Sequence, residues 1–322
     1  MPTQTTFAPV TLSDIEAARA RIAPYVRRTP LTRSETLSRR LGTNVYLKAE
    51  VFQKTGAFKV RGAFNKMLCI PAGARGHGVV AMSGGNHAQA VAYAARTLGM
   101  RALIFMPKAT AANYVDATRE YGAEVSFTPT SLDGFAAMEE FGTKGWVAVH
   151  PFNDPLVMAG QGTAGLEIVD DCPQVTDVIV SIGGGGLIAG IATAVKERLP
   201  AARIWGVETE GADCMAQALA ANEVVTLSAV TSIARTLGAP AASPETLAAV
   251  QRYVESVTVV SDKDAVASMR LLLERTKLLV EPAGSCTLTA AERLRDRFGP
   301  NDHVVLFLCG GNISVEDVCR FG

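Results

Sequence analysis

Several features are scarce in this 322-residue sequence, and each absence narrows the classes of protein to which it can belong. Neither charge is in excess, because 31 Lys and Arg residues balance 31 Asp and Glu residues. Nucleic-acid binders carry a basic excess, so this balance argues against nucleic acid as a partner and favours a small molecule. No apolar run reaches the roughly 20 residues that span a bilayer, which argues against a membrane protein.

Residues that form metal sites and disulfides are also few. The six cysteines lie far apart in the sequence, so they indicate reduced thiols and neither a zinc site nor a disulfide framework. Only four histidines occur, none of them in a His-Glu-x-x-His zinc motif, and no Gly-x-Ser-x-Gly elbow indicates a hydrolase. Residues 1–4 lack the basic and then apolar layout of a signal peptide. We therefore expect a cytoplasmic protein.

Apolar strands alternate with helical patterns along most of the chain. Strands are predicted at residues 45–47, 79–82, 102–106, 124–127, 178–182, 204–207 and 304–308, and helices at 11–23, 87–98, 112–121, 131–141 and 187–199. Continuous apolar strands of this kind predict parallel sheets that are covered by helices on both faces. The chain length favours two domains, so the predicted fold class is α/β with two open parallel-sheet domains.

Three polar or glycine-rich turns follow predicted strands, where α/β proteins bind ligands. They are the serine turn (Ser83-Gly84-Gly85-Asn86-His87), the glycine turn (Gly183-Gly184-Gly185-Gly186-Leu187) and the cysteine turn (Cys309-Gly310-Gly311-Asn312). Four glycines between a strand and a helix let backbone N–H groups converge on a phosphate, which a Cβ would hinder. The spacing fits neither a dinucleotide-binding motif nor a P-loop. A flexible turn without a ligand is the alternative.

A fourth motif, the lysine segment, is Thr55-Gly56-Ala57-Phe58-Lys59-Val60-Arg61-Gly62-Ala63. Lys59 is either a solvated surface charge or a desolvated amine with a lowered pKa, which would attack an aldehyde. Asn86 could cap a helix or bind a ring hydroxyl, and Cys309 could be a buried thiol or the partner of a ring nitrogen. With the glycine turn as phosphate cradle, these residues form the inventory for holding pyridoxal phosphate (PLP) as a Schiff base.

The order and spacing of the four motifs resemble the fold type II, or tryptophan synthase β-like, PLP enzymes. Within them the chain is similar to the serine/threonine dehydratase and serine racemase group, over roughly residues 10–320. Its lysine segment resembles the dehydratase branch, whereas the cysteine synthase branch has a Val-Lys-Asp-Arg-like sequence. The resemblance implies a large PLP-binding domain (residues 1–50 and 151–322), a small domain (residues 51–150), the cofactor in the cleft between them, and a homodimer.

The resemblance also implies a role for each motif residue. Lys59 would carry the cofactor and remove the substrate α-proton, Phe58 would pack on the ring, and Asn86 would bind the ring hydroxyl. Cys309 would face the ring nitrogen as a neutral thiol, which suits β-elimination. The phosphate would be bound by Gly183, Gly184, Gly185, Gly186 and Leu187, and the substrate carboxylate by Ser83, Gly84, Gly85, Asn86 and His87, with Ser83 also taking a catalytic part.

The implied reaction is α,β-elimination from a β-hydroxy amino acid, which yields a 2-oxo acid and ammonia. Gly84 stands where serine racemases have a second Ser, which argues against the alternative, an amino acid racemase. Ala234-Arg235-Thr236 replaces a frequent Ala-Asp-Gly, so the substrate is left open among threonine, serine, hydroxyaspartate, phenylserine and a hydroxyectoine-derived amino acid. Arg235 either binds an extra polar or anionic group or lies at the surface.

Three further hypotheses are weaker. Some relatives bind Mg²⁺ or Ca²⁺ after the strand equivalent to residues 204–207, and here Glu208 and the Ala212 carbonyl could be ligands. Cys214 stands at the expected Asp position, although hard cations prefer oxygen. A sulfur-transferring β-replacement enzyme is opposed by the lysine segment, and a PLP-binding protein without turnover is opposed by the intact Lys59.

Overall fold

The structure is a computed structural model that describes residues 7–321; residues 1–4, on which the signal-peptide argument rests, lie outside the described residues. The helices are α1 (Leu12–Ile22), α2 (Glu35–Leu41), α3 (Val60–Leu68), α4 (Asn86–Thr97), α5 (Ala112–Glu120), α6 (Ser131–Thr143), α7 (Pro155–Asp171), α8 (Gly186–Arg198), α9 (Cys214–Ala221), α10 (Pro244–Tyr253), α11 (Asp262–Thr276), α12 (Pro282–Arg293) and α13 (Val315–Arg320). The strands are β1 (Leu31–Arg33), β2 (Asn44–Ala49), β3 (Val79–Met82), β4 (Ala102–Pro107), β5 (Glu124–Thr128), β6 (Val147–Ala148), β7 (Asp177–Ser181), β8 (Arg203–Thr209), β9 (Ser256–Val260) and β10 (His303–Leu308). Each predicted strand and helix is present.

The described strands form two sheets, which confirms the α/β class with two domains. The larger sheet has the order β1-β2-β10-β7-β8-β9, and the smaller has the order β5-β4-β3-β6. All neighbouring strands are parallel, as predicted, except β1 and β2, which are antiparallel; β1 was not among the predicted strands. The link from β1 to β2 contains only the short helix α2, and a parallel pair needs a longer crossover.

The two sheets use different parts of the chain. Strands of the smaller sheet lie within residues 79–148, and those of the larger sheet lie within residues 31–49 and 177–308. Both central strands β3 and β7 are buried along their whole length, as parallel strands covered on two faces should be. The boundaries at residues 50 and 150 stay a prediction. No described helix is long and apolar enough to cross a bilayer.

Helix α7 packs closely against both α3 and α8, and glycines make this approach possible. A Cβ on Gly160 would lie 2.6 Å from the Cα of Gly62 in α3, and a Cβ on Gly162 would lie 2.8 Å from the carbonyl oxygen of Gly190 in α8. Such distances leave no room for a side chain at these positions. The helix that begins directly after Lys59 is therefore held against a buried helix of the other half of the chain.

A buried ionic cluster lies beside the first turn of α3. Arg61 donates to Glu50 Oε1 at 2.8 Å and to Glu167 Oε1 at 2.7 Å, and Lys48 Nζ donates to Glu167 Oε2 at 2.6 Å. Burial would raise the pKa of Glu167, but the neighbouring Arg61 and Lys48 outweigh it and hold this pKa below its ordinary value. The cluster joins β2, α3 and α7, so it fixes the backbone two residues away from Lys59.

Candidate active site

The four motifs meet where the carboxyl ends of the two sheets face each other. Backbone hydrogen bonds join the lysine segment to the cysteine turn: Phe58 N–H donates to the Cys309 carbonyl at 3.0 Å, and Gly311 N–H donates to the Gly56 carbonyl at 2.9 Å. Ala57 and Gly310 form an antiparallel bridge between them. Residues that are 250 positions apart in the sequence thus form one wall of the site.

Lys59 is a partly buried amine without a carboxylate partner in the part of the chain that the structure describes. Its Nζ donates to the Pro151 carbonyl at 2.6 Å and lies 5.2 Å from the centroid of the Phe58 ring. Burial lowers the pKa of Lys59 to about 8, because the charged form loses solvation. More of this amine is therefore neutral near physiological pH than of an ordinary lysine, and the neutral form is the nucleophile for an aldehyde.

Asn86 is the first residue of α4, and its side chain does not cap that helix. The cap position is Gly85, which makes no side-chain hydrogen bond, so the capping alternative for Asn86 is wrong. The Asn86 amide donates to Glu281 Oε1 at 2.8 Å and accepts from Asn312 Nδ2 at 2.8 Å. The serine and cysteine turns are thereby linked, and Glu281 enters the site without having been predicted.

The serine turn offers unpaired backbone donors. Among the described residues, the N–H groups of Gly84, Asn86 and His87 have no acceptor, whereas Gly85 N–H donates to Ser83 Oγ at 3.1 Å. The His87 ring is buried and donates from Nε2 to the Val149 carbonyl at 2.8 Å. Burial lowers the pKa of His87 to about 3, so the ring is neutral. These donors at the start of α4 suit a carboxylate.

The glycine turn has the geometry of an anion cradle. It enters α8 with Gly185 at φ +92°, a backbone conformation that favours glycine. The N–H groups of residues 183–188 find no acceptor within the described chain, so they remain available at a helix N-terminus. Gly184 is also required for packing, because a Cβ at this position would lie 2.3 Å from the Phe152 ring. Phe152 was not predicted.

Cys309 is a buried thiol at the end of β10. Burial, reinforced by the nearby Glu281 carboxyl, raises the pKa of Cys309 well above its ordinary value. The sulfur is therefore a neutral thiol. Phe58 is also buried, and its ring makes an edge contact with Phe307 at a centroid distance of 6.4 Å.

The segment around Arg235 reaches the site through the two residues that follow it, Thr236 and Leu237. Arg235 itself is exposed and forms no ion pair with a described residue. Thr236 donates from Oγ1 to Glu281 Oε1 at 2.8 Å, and the Leu237 carbonyl oxygen would lie 3.1 Å from a Cβ on Gly183. The replaced Ala-Asp-Gly position therefore lines the site with a threonine hydroxyl.

The structure does not support the predicted metal site at Glu208 and Ala212. The Glu208 carboxylate accepts backbone N–H groups of Met215 at 2.9 Å and Ala216 at 2.8 Å, at the start of α9. Burial raises the pKa of Glu208 to about 8. No cluster of three or more His, Cys, Asp or Glu side chains that could hold a metal ion occurs among the described residues. Glu208 instead accepts free N–H groups of the first turn of α9.

The arrangement fits PLP. The amine at Lys59 has a lowered pKa, the glycine turn supplies free N–H groups for a phosphate, and the Asn86 amide retains one N–H that no described residue accepts. Cys309 adds a neutral thiol within the same wall of the site. These groups match the aldehyde, phosphate and ring of that cofactor.

Comparisons with known proteins agree with this assignment. Residues 22–310 match the family described as pyridoxal-phosphate dependent enzyme. The chain is 43% identical over 308 residues to the L-threonine ammonia-lyase of Geobacter sulfurreducens, covering 94% of this chain and 76% of that one. It is 39% identical to the catabolic L-threonine dehydratase of Staphylococcus aureus, covering 96% and 91%.

Solved structures show the same fold. Maize serine racemase superposes with a TM-score of 0.93 at 35% identity, covering 97% of each chain. The processed form of threonine deaminase isoform 2 from Solanum lycopersicum superposes with a TM-score of 0.89 at 31% identity, covering 99% of this chain and 96% of that one. The chain belongs to the family of pyridoxal-phosphate dependent enzymes, with fold type II.

Proposed function

We propose that this protein is a PLP-dependent ammonia-lyase that converts a β-hydroxy amino acid to a 2-oxo acid and ammonia. The observation that carries the proposal is the Lys59 amine, which has no carboxylate partner and a pKa lowered to about 8. It lies in the wall of a site that also holds the glycine turn. Threonine is the first candidate substrate, because the relatives at 43% and 39% identity are a threonine ammonia-lyase and a threonine dehydratase.

Lys59 is the proposed proton carrier. Its pKa of about 8 lies close to physiological pH, where a general base combines a deprotonated fraction with useful basicity. When PLP is bound it supplies an electron sink for the substrate, and the protein supplies position and proton transfer. The neighbouring His87 and His150 both have pKa values lowered to about 3 by burial, so neither competes as a base near neutral pH.

Two sets of backbone donors hold the anionic groups in this proposal. The glycine turn would bind the cofactor phosphate at the start of α8. The serine turn binds the substrate carboxylate at the start of α4 through the N–H groups of Gly84, Asn86 and His87. With the phosphate and the carboxylate bound at two helix N-termini, the substrate α-carbon is oriented by both halves of the chain.

The remaining site residues act on the cofactor ring. With PLP bound, Asn86 would donate to the ring hydroxyl, Phe58 would pack on the ring, and Cys309 would face the ring nitrogen. Because the Cys309 thiol is neutral, it provides no negative charge to stabilise a protonated ring nitrogen. PLP held in this way would be a weaker electron sink, which would suit loss of a β-hydroxyl group.

An amino acid racemase is the alternative, and the similarity to maize serine racemase favours it. Racemisation would need a second acid or base opposite Lys59, and the sequence has Gly84 at that position. A Cβ on Gly84 would lie 2.7 Å from Thr110 Oγ1, so a serine would not fit without a shift of Thr110. The missing acid or base at Gly84 therefore supports the lyase over the racemase.

A substrate panel tests the proposal. PLP-loaded protein is assayed with threonine, serine, 3-hydroxyaspartate, phenylserine and a hydroxyectoine-derived amino acid, and 2-oxo acid and ammonia are measured together. We expect equal amounts of both products from at least one substrate, no product with Lys59→Ala, and unchanged product with the neighbouring control Lys54→Ala. Inversion of the α-carbon without 2-oxo acid would establish the racemase, and a bound cofactor without either activity would contradict both.

The proposal extends to the setting of the enzyme. We infer a homodimer, with residues 1–50 and 151–322 as the large domain and 51–150 as the small one, on the basis of the family resemblance. The dispersed cysteines are the basis for inferring a cytoplasmic location. Sedimentation of the holoenzyme tests the dimer.

A Mg²⁺ or Ca²⁺ at Glu208 and Ala212 has no part in the proposed function, since the Glu208 carboxylate already accepts two N–H groups. Arg235→Ala tests recognition of an anionic side chain by comparing KM for hydroxyaspartate and threonine.

A further inference from the structure

Glu281 is a buried carboxyl group that the proposed chemistry does not use. It is 3% exposed, precedes α12, and receives two hydrogen bonds on the same oxygen, from Asn86 Nδ2 and from Thr236 Oγ1, each at 2.8 Å. Its second oxygen, Oε2, is buried and has no hydrogen-bond partner of good geometry among the described residues. Glu281 forms no ion pair within residues 7–321. A buried carboxyl in this state needs a reason, because desolvating it is unfavourable.

A chain of donors and acceptors fixes how the Asn86 amide is turned. The Thr55 carbonyl can only accept, so the amide group facing it at 2.8 Å is Asn312 Nδ2. The same Nδ2 lies 2.8 Å from Asn86, so the atom of Asn86 that faces it is the acceptor Oδ1. Asn86 Nδ2 must then face Glu281, which accepts one of its two N–H groups. One N–H of Asn86 is left for a ligand.

The protonation of Glu281 suits this acceptor role. Burial raises the pKa of Glu281 to about 7, although the side chains of Thr236 and Asn86 and the backbone of Asn312 partly offset the effect by hydrogen bonding. The titratable groups that face it are Cys309, Cys286 and Tyr114, and burial raises the pKa of each, so all are neutral. When Glu281 binds a proton, Oε2 is the free position for it, and Oε1 continues to accept both bonds.

We propose that Glu281 is a positioning residue that holds the Asn86 amide so that its free N–H meets the ring hydroxyl of PLP. The inference rests on the proposed function only in taking PLP as the ligand, and it does not depend on the identity of the amino acid substrate. Thr236 supports Glu281 from the other side. The lysine segment, through Thr55, belongs to the same network.

The test is the affinity of the apoprotein for PLP, measured by fluorescence and by the absorption spectrum of the bound cofactor. Glu281→Met removes the acceptor, and we expect the PLP Kd to rise about 10- to 100-fold, as when a buried donor is left without its partner. Glu281→Gln keeps a carbonyl oxygen for Asn86 and Thr236 and resembles the protonated acid, so its Kd should stay within about 3-fold of the wild type.

A double-mutant cycle separates positioning from a general loss of structure. In an Asn86→Ala background, Glu281→Met should change the PLP Kd by less than about 3-fold, because the amide that it orients is gone. Thermal unfolding of each apoprotein checks the fold, and Glu281→Asp, which retracts the carboxyl by one methylene, replaces the Met variant if that does not fold. The proposal is overturned if Glu281→Met binds PLP as the wild type does, if the Gln and Met variants lose affinity equally, or if the two losses add. If the wild type binds PLP but releases no 2-oxo acid, the proposed lyase activity is refuted. The PLP affinities of the variants can still be compared in that case, so the role of Glu281 is tested separately.

Discussion

Replacing Arg61 by methionine should destabilise the protein strongly, because the guanidinium is the centre of a buried ionic cluster. Arg61 is 0% exposed and donates to the carboxylates of both Glu50 and Glu167. Lys48 remains 2.6 Å from Glu167 in the variant, but no other described cation pairs with Glu50, which is also 0% exposed. Leaving one buried charge without its partner costs about 3–5 kcal/mol.

The loss is measured as the free energy of unfolding in urea, at pH 7 and at about pH 5. In the wild type the pKa of Glu167 is lowered, so its contribution to stability is present above the unfolded pKa and is lost as the pH falls. In the Arg61→Met variant Glu167 loses the charge of Arg61, the strongest of the groups that lower its pKa, so it binds a proton at a higher pH than in the wild type. The difference in stability from the wild type should therefore shrink towards about pH 5.

Arg19→Met is the matched control, because Arg19 pairs with Asp170 at 2.9 Å while both side chains are 40% exposed. An exposed pair of this kind contributes at most about 1 kcal/mol. A loss below about 1 kcal/mol for Arg61→Met, or one that is equal at both pH values, would refute the argument that this cluster holds the start of α3. The ionic cluster would then not be what positions Lys59.

Three further predictions concern other parts of the fold. Gly184→Ala places a Cβ 2.3 Å from the Phe152 ring, so it should weaken PLP binding at least 10-fold (about 1.4 kcal/mol) in an apoprotein titration, and adding Phe152→Ala should restore part of the loss. Full affinity in the single variant would show that the turn tolerates a side chain. The reaction of the Lys59 amine with an aldehyde probe should rise with pH through about 8 and then level off, because its pKa is lowered; a rise that continues past about 10 would contradict the burial of the amine. Lys277, at φ +63°, ends α11 in the left-handed region, so Lys277→Gly should raise the free energy of unfolding by about 0.5–1 kcal/mol, and a loss of stability in urea would count against this.

The parts of the fold that were predicted from the sequence share a simple signal. Strands β3, β7 and β10 are continuous apolar runs because both of their faces are covered, and each leads into a polar or glycine-rich turn. Helix α7 gave no such signal. It is buried on most sides and rich in glycine, so it shows no apolar stripe of helical period.

The residues of the site also divide into those that could be predicted from the sequence and those that could not. Lys59 and the three turns could be predicted because each departs from ordinary composition at one place in the sequence. Glu281 and Phe152 could not be predicted. In the sequence, a glutamate before a proline at a helix start looks like any solvated charge, and a single Phe in a loop looks like any residue of the hydrophobic core. Their roles depend on contacts with Asn86 and Gly184, which lie far away in the sequence.

The most direct test of the central claim is to trap the cofactor on its amine. The protein is loaded with PLP, reduced with borohydride and digested, and the peptides are mapped by mass spectrometry. We expect one pyridoxyl group per chain, on the peptide that contains Lys59, and none in Lys59→Ala. A modification at another lysine, such as Lys54, or no modification at all, would contradict the assignment of Lys59 as the residue that holds the cofactor.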